Sequence, residues 1–392
     1  MIISRKIRLL PTKEQEVLFW KSAGTARWAY NFFLSENENA YAKYLENGMT
    51  GPKYISECDV RKHINNDLKP TTYTWLKEVG SNVMKMGVKD ADVALRNFLK
   101  GNKGKPRYKS KHKDAPSFYV NYESLTKTQN GFHGEKIGKV KTSEPLPKLY
   151  NGEKYCSPRI TYDGKYWYLS VGHEVKEEVN TLERESLGID LGVKDLAICS
   201  SGVKYKNINK THTVKNTEKR LKREQRKLSR MYEDNILKYD SKRRPIWNRP
   251  LNECKNIQKQ KAKVKLIYRR LNGIRNNYIH QTTSEIVKTK PSRIVMEDLN
   301  IKGMMKNKHL SKAIGDENLY EFTRQIQYKA KLHGIEFVKA DRFYPSSKKC
   351  SCCGHIKKDL KLSDRTYICP VCGAVIDRDY NASVNLANYK SA

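Results

Sequence analysis

Cys350-Ser-Cys-Cys353-Gly354, Tyr367-Ile-Cys369-Pro-Val-Cys372-Gly373 and Asp377-Arg-Asp379-Tyr-Asn381-Ala-Ser383 follow one another within a short segment of the sequence. The two Cys-x-x-Cys knuckles, parted by a loop of hairpin length, have the spacing of a zinc ribbon. Each knuckle closes on a glycine, Gly354 or Gly373, which permits the tight turn it needs. Cys350, Cys353, Cys369 and Cys372 are therefore the expected zinc ligands. Cys352 is wrongly spaced from Cys350, and His355 is a weaker outside candidate. Four thiolates leave no open position on the ion, so zinc here folds the segment rather than doing chemistry. The acids that come next are of another kind. Asp377 fits the N-cap of a helix. Asp379 then falls in the first turn, followed by Ala382 and Ser383, whose small side chains leave room for a metal and a substrate.

Two other acids sit in comparable settings. Ser186-Leu-Gly188-Ile-Asp190-Leu-Gly192-Val reads as an apolar strand carrying one carboxylate and then a glycine turn. Alternation puts Gly188, Asp190 and Gly192 on one face. Alone, that pattern suits a surface acid and a cation ligand equally, because a lone ionised aspartate among apolar residues is costly. Ile294-Val-Met-Glu297-Asp298 repeats the theme, a short apolar strand ending in acids. Asp190, Glu297 and Asp379 are far apart in sequence, yet three such positions can converge at one edge of a mixed sheet. Three like charges need counter-cations to share a site. Hard divalent ions with oxygen ligands supply them, and Mg²⁺ also recruits phosphates. The chemistry expected of such a trio is phosphodiester hydrolysis.

The remaining chain agrees with a polyanion as partner. Its 392 residues allow two or three domains, and a net charge of +35 makes a free protein self-repelling. The start, Met1-Ile-Ile-Ser-Arg-Lys-Ile-Arg, lacks an apolar signal core, and no long apolar run occurs, so a cytoplasmic, nucleoid-associated protein is expected. Ile2–Leu10 reads as a strand. Thr12 and Gln15 then form a capping box for a helical region running to about Leu99, with Trp20, Trp28, Tyr30, Phe32 and Phe33 as core candidates. Lys100–Lys113 is a Gly/Pro-punctuated basic loop suited to phosphates. Ser117–Tyr122 and Arg159–Val171 read as strands, the latter a hairpin with a type I′ turn at Asp163-Gly164. With the first strand they suggest a small β-barrel interrupted by the helical region, with Tyr166, Trp167 and Tyr168 on its surface. Thr217–Tyr239 and Leu251–Lys288 read as a basic helical hairpin along a nucleic-acid backbone. A polar linker, 301–312, a helix, Leu319–Leu332, and a strand, Gly334–Asp341, lead to the first knuckle.

The motifs Gly188-Ile-Asp190-Leu-Gly-Val, Val295-Met-Glu297-Asp-Leu-Asn-Ile-Lys-Gly-Met-Met305, Asp341-Arg-Phe-Tyr-Pro-Ser-Ser-Lys-Lys-Cys350 and Cys369–Asn385 together resemble TnpB, a transposon-encoded RNA-guided DNA endonuclease family related to type V CRISPR effectors. Gly104-Lys-Pro-Arg-Tyr-Lys and Arg8-Leu-Leu-Pro-Thr-Lys-Glu-Gln15 extend the likeness more thinly towards the start. The resemblance implies a multidomain α+β chain. A wedge β-barrel (1–10 and 115–182) would be interrupted by a helical recognition lobe (11–114). An RNase H-like RuvC nuclease domain (183–345 and 374–392) would hold the zinc ribbon (346–373). It also implies Asp190, Glu297 and Asp379 as the Mg²⁺-binding catalytic triad. The implied partners are a guide RNA from the element, with one chain per RNA, and double-stranded target DNA beside a short adjacent motif. Base pairing would carry most of the specificity, and the cutting would serve upkeep of the mobile element. A nuclease-silent guided repressor, a strand-transferring transposase and a small type V effector are the competing readings.

Overall fold

The computed structural model describes residues 1–150, 153–176, 182–183, 185–361 and 364–390. The chain divides into two compact units, Met1–Val175 and Lys176–Ala392. No described helix is long and apolar enough to cross a membrane.

The first unit begins with β1 (Ile2–Leu10) and α1 (Lys13–Glu46), and the Thr12–Gln15 capping box forms in both directions. Then come α2 (Glu57–His63), α3 (Ser81–Leu99), β2 (Ser117–Tyr119), β3 (Thr126–Thr128), β4 (Gly131–Gly134), β5 (Gly138–Thr142), β6 (Cys156–Tyr162) and β7 (Trp167–Glu174). The strands join in the order β2-β6-β7-β1-β5-β4-β3, each pair antiparallel. Their inward residues Ile7, Leu9, Phe132, Val140, Ile160, Leu169 and Val171 meet Phe19 of α1 in one core. A second core, built on Tyr30, Phe33, Ile64, Met84 and Val88, holds α1, α2 and α3 together.

Several sequence expectations change here. Trp167 is core rather than surface, 1% exposed, with Phe19 edge-on at 5.3 Å. Trp20 is instead 42% exposed and lies over Trp167 and Tyr162, outside the helical core. The β6–β7 hairpin forms, but of its two expected turn residues only Gly164 has positive φ. The Asp163 carboxylate accepts from the amides of Lys165 and Tyr166, so a longer Asx-stabilised loop replaces the type I′ turn. β3, β4 and β5, of three to five residues each, are too short to carry a readable alternation. The basic loop is in part structural: Arg107 grips Asp114, Lys105 pairs with Glu38, and Lys109 stacks 3.8 Å above Tyr30.

The second unit runs β8 (Ser186–Leu191), β9 (Asp195–Cys199), β10 (Lys204–Lys206), α4 (His212–Glu233), β11 (Ile236–Tyr239), β12 (Pro245–Trp247), α5 (Lys255–Lys288) and β13 (Arg293–Glu297). It continues with α6 (Ile301–Met304), α7 (Ser311–Glu317), α8 (Leu319–Leu332), β14 (Glu336–Ala340), β15 (Thr366–Ile368), β16 (Val375–Asp377) and α9 (Arg378–Ala387). One sheet has the order β10-β9-β8-β13-β14. β10, β9 and β8 are antiparallel, whereas β8, β13 and β14 run parallel. α5 and α8 cover one face through Ile279, Ile286, Phe322 and Ile326.

The helical hairpin of α4 and α5 is present, sealed by Leu221, Val264, Ile267 and Leu271. Its bounds are offset from those expected: α4 starts at His212 rather than Thr217, and α5 at Lys255 rather than Leu251. α4 stops at Glu233, and Ile236–Tyr239 leaves the helical pattern to pair with Pro245–Trp247 as a two-stranded ribbon. Asn235, which donates to the Arg249 carbonyl and accepts from its amide, ties the two ends of that excursion. The expected 301–312 linker instead contains α6 and the start of α7.

The opposite face of the sheet carries α9, which lies unusually close to β8. A Cβ at Gly188 would overlap the carbonyl of Ser383 and the amide of Ala387, so this contact requires glycine. Gly188→Ala should therefore cost about 1–3 kcal/mol through forced separation of helix and strand. Gly273→Ala, in α5 with open space around it, should be neutral or stabilising. Thermal unfolding of the two variants checks this; equal midpoints would refute the close-approach argument.

Candidate active site and metal centre

β8 and β13 are parallel neighbours, with Ile189 paired to Met296. One register step further lie Asp190 and Glu297, side by side where the strands end. α9 starts above them. Asp377 caps that helix by accepting from the Tyr380 amide at 3.0 Å, and Asp379 sits in its first turn. The three carboxylates that the sequence singled out thus come from two strand ends and one helix start.

Asp190 shows the electrostatic consequence. Protein crowds it on most sides while one edge reaches solvent. Burial pushes its carboxyl well above the usual carboxylate range, and the negative charges of Glu297 and Asp379 push it further. Asp377 adds a smaller push, being turned towards its cap bond and towards Lys204 at 3.6 Å. Arg378 acts in the opposite sense. Its guanidinium donates to Asp379 from Nε at 3.2 Å and Nη2 at 3.0 Å, and its charge favours ionised Asp190. Asp298, the acid beside Glu297, is directed elsewhere. Arg342 holds it at 2.6 Å and Lys339 lies 3.6 Å away, and these bonds keep its carboxyl below the ordinary range.

The four cysteines meet as their spacing implies. Their Sγ atoms all lie within 4.8 Å of one another, with Cys350–Cys372 at 3.7 Å and Cys353–Cys369 at 3.5 Å. A tetrahedral ion with Zn–S bonds of about 2.3 Å needs edges of about 3.8 Å, so the cage has the right size. Gly354 and Gly373 both adopt positive φ. The crowded thiols share their protons unevenly: the Cys372 amide leads in drawing Cys369 below its ordinary range, while Cys353 and Cys372 are pushed above theirs. Cys352 is exposed and outside the cage; His355 offers its backbone carbonyl to the Cys350 amide rather than its ring to the cage.

The sequence reading missed what joins these two centres. Asn381 and Asn385 are buried, one turn apart on α9. Asn381 donates to the Lys349 carbonyl at 2.7 Å and accepts from the Ser351 amide at 2.9 Å. Asn385 donates to the carbonyls of Ser346 and Lys349 at 2.8 and 2.6 Å. The first knuckle is thereby fastened to the helix that carries Asp379. Ser346, at the same junction, donates its hydroxyl to Glu297. The i, i+4 repeat of amides in Asn381-Ala-Ser-Val-Asn385 was the available signal: polar side chains recurring on a helix face that must be buried.

The chain matches three family descriptions: "Helix-turn-helix domain" of OrfB from IS605 over residues 1–46, "Probable transposase" of the same OrfB over 169–308, and "Cas12f1-like, TNB domain" over 320–386. A Streptomyces pristinaespiralis protein named "Putative RNA-guided DNA endonuclease" is 27% identical over 97% of this chain and 87% of its own length. InsQ of Escherichia coli K12, which carries the same name, is 26% identical over 97% and 90%. The CRISPR-associated endodeoxyribonuclease Cas12f1 of Sulfoacidibacillus thermotolerans is 26% identical over 62% of this chain and 55% of its own. Among solved structures, a Cas12f1–sgRNA–target DNA complex covers 99% of both chains at 16% identity and a TM-score of 0.36. Motifs at both ends and in the middle, and relatives aligned along nearly the whole length, agree: the chain is similar to IS605-type OrfB proteins and to proteins named RNA-guided DNA endonucleases.

Proposed function

We propose that this protein is an RNA-guided DNA endonuclease that cuts target DNA beside a short adjacent motif, in the service of a mobile element. The observation that carries the reading is the convergence of Asp190, Glu297 and Asp379 at one sheet edge, in a chain whose full-length relatives bear that name. A guided repressor would have no use for three acids whose mutual repulsion is so costly, and all three are intact.

The second unit's strand order, three antiparallel strands followed by two parallel ones, supports an RNase H-like RuvC assignment. We assign the nuclease domain to 183–345 and 374–392, the ribbon to 346–373, the helical lobe to 11–114 and the wedge barrel to 1–10 with 115–182. Asp190, Glu297 and Asp379 would hold Mg²⁺, since they offer only hard oxygen donors. Bound there, divalent ions would activate the attacking water and stabilise the leaving oxygen. The chain's own part is to hold the donors. Ser346 fixes Glu297, Arg378 steadies Asp379, and the crowding of Asp190 keeps bulk water from screening its charge. Cys350, Cys353, Cys369 and Cys372 would hold structural Zn²⁺. The basic faces of α4 and α5 suit the backbone of a guide RNA or its duplex with DNA.

Protein purified with its RNA should cleave a matched target only with Mg²⁺ present. Asp190→Ala, Glu297→Gln or Asp379→Ala should each slow cutting on the order of a thousandfold while target binding persists. Asp377→Ala should lose helix stability but retain chemistry, and a fully active Asp379→Ala protein would overturn the assignment. Elemental analysis should find one zinc per chain, lost in Cys369→Ser together with stability of the ribbon.

The charge on Asp190 also makes stability depend on pH. A carboxyl raised by burial keeps its proton longer in the folded state than in the unfolded one. Its burden on stability is absent in acid and grows as pH climbs above about 4, the ordinary aspartate value. With divalent ions chelated, Asp190→Asn should therefore melt higher than wild type near neutral pH, and the gap should close as pH falls towards 4. A gap independent of pH would contradict the charge repulsion described above.

A further inference from the structure

Phe343 is the most exposed large apolar side chain among the described residues, 88% accessible. It is not a loose loop tip. Its own amide donates to the Asp341 carboxylate at 2.8 Å, and the Asp341 amide is held by the Tyr389 hydroxyl. Arg342, just before it, is fastened to Asp298, the neighbour of Glu297. Tyr344, just after it, turns inward against Tyr389 at 4.9 Å and bonds the Asn385 carbonyl. Two residues further, Ser346 donates to Glu297 itself. Every flanking residue is anchored, and the anchors at Arg342 and Ser346 tie the loop to Glu297 and its neighbour. Phe343 is held out to solvent between them. Beside the loop lies a groove of about 340 Å³ lined by Glu297, Lys302, Tyr320, Arg324, Lys339 and Arg342. Tyr320, on its wall, is 66% exposed. An anchored, outward aromatic next to cations and a carboxylate has the composition of a stacking platform for a nucleic-acid base.

We propose that Phe343 stacks on a base of the DNA strand being cut, next to the scissile phosphate, and so seats that phosphate against the acids. The proposal rests on the nuclease reading of Asp190, Glu297 and Asp379. Stacking works on an unpaired base, so the strand must enter this groove single-stranded. The ring is a substrate contact, and an indole in its place would serve equally.

The test uses the complete protein with its co-purified RNA and targets matched to that RNA. Single 2-aminopurine substitutions are walked through the cut region, with chelator present to prevent cutting. One position should be quenched by wild type, released by Phe343→Ala, and quenched again by Phe343→Trp. With Mg²⁺, Phe343→Ala should cut roughly tenfold more slowly in single turnover at unchanged target affinity. An abasic site at the quenched position should slow wild type equally and Phe343→Ala no further. Quenching indifferent to position 343, an undiminished rate in Phe343→Ala, or losses that multiply would each overturn the proposal. If quenching depends on Phe343 but wild type never cuts, the stacking stands and the nuclease reading falls. If wild type cuts and no quenching depends on Phe343, the reverse holds.

Discussion

Helix α9 can lie against strand β8 only because residue 188 has no side chain. That contact sets the distance between Asp190, two residues along the strand, and Asp379, in the first turn of the helix. It also fixes the ribbon, because the same helix presents Asn381 and Asn385 to the first knuckle. A wider helix–strand gap would part Asp379 from Asp190 and carry the first knuckle away with the helix. The cysteine cage and the three proposed catalytic acids thus share α9 as a common support.

The division of labour among the acids follows from what each one touches. Asp377 uses its oxygen to cap α9, and Asp298 is neutralised by Arg342 and Lys339. Asp190 and Glu297 keep their positions side by side at the strand ends, and Asp379 faces them across the sheet edge with Arg378 as its internal counter-charge. An arrangement of this kind is destabilising by itself. Hydrophobic packing of α5, α8 and the sheet offsets that cost by holding the backbone in place. The concentration of strain where substrate would bind is the usual exchange of stability for function.

Local signals were legible wherever neighbours in sequence are neighbours in space. The Thr12 capping box, the Leu319–Leu332 helix with Leu319, Phe322, Ile326 and Ala330 inward, the Asp377 cap and the cysteine cage could all be read from spacing. What failed depended on distant partners. Trp167 looks like surface until Phe19 of α1 covers it, and Trp20 looks like core until its helix turns that face to the end of the β6–β7 hairpin. Ile236–Tyr239 continues the polar–apolar rhythm of α4 but is taken into a ribbon by residues beyond a tight turn. Ser346 gives no local sign of its bond to Glu297, 49 residues earlier. The composition of the candidate site was therefore readable, whereas the contacts that hold it in place required the fold.

Asp190, Glu297 and Asp379, and not Asp377, are proposed to form one divalent-cation centre. Electron paramagnetic resonance of Mn²⁺ titrated into the protein, into Asp379→Ala and into Asp377→Ala tests it without relying on turnover. Saturable tight binding should be present in wild type, retained in Asp377→Ala and lost in Asp379→Ala. Equal Mn²⁺ binding in Asp379→Ala and wild type would contradict it.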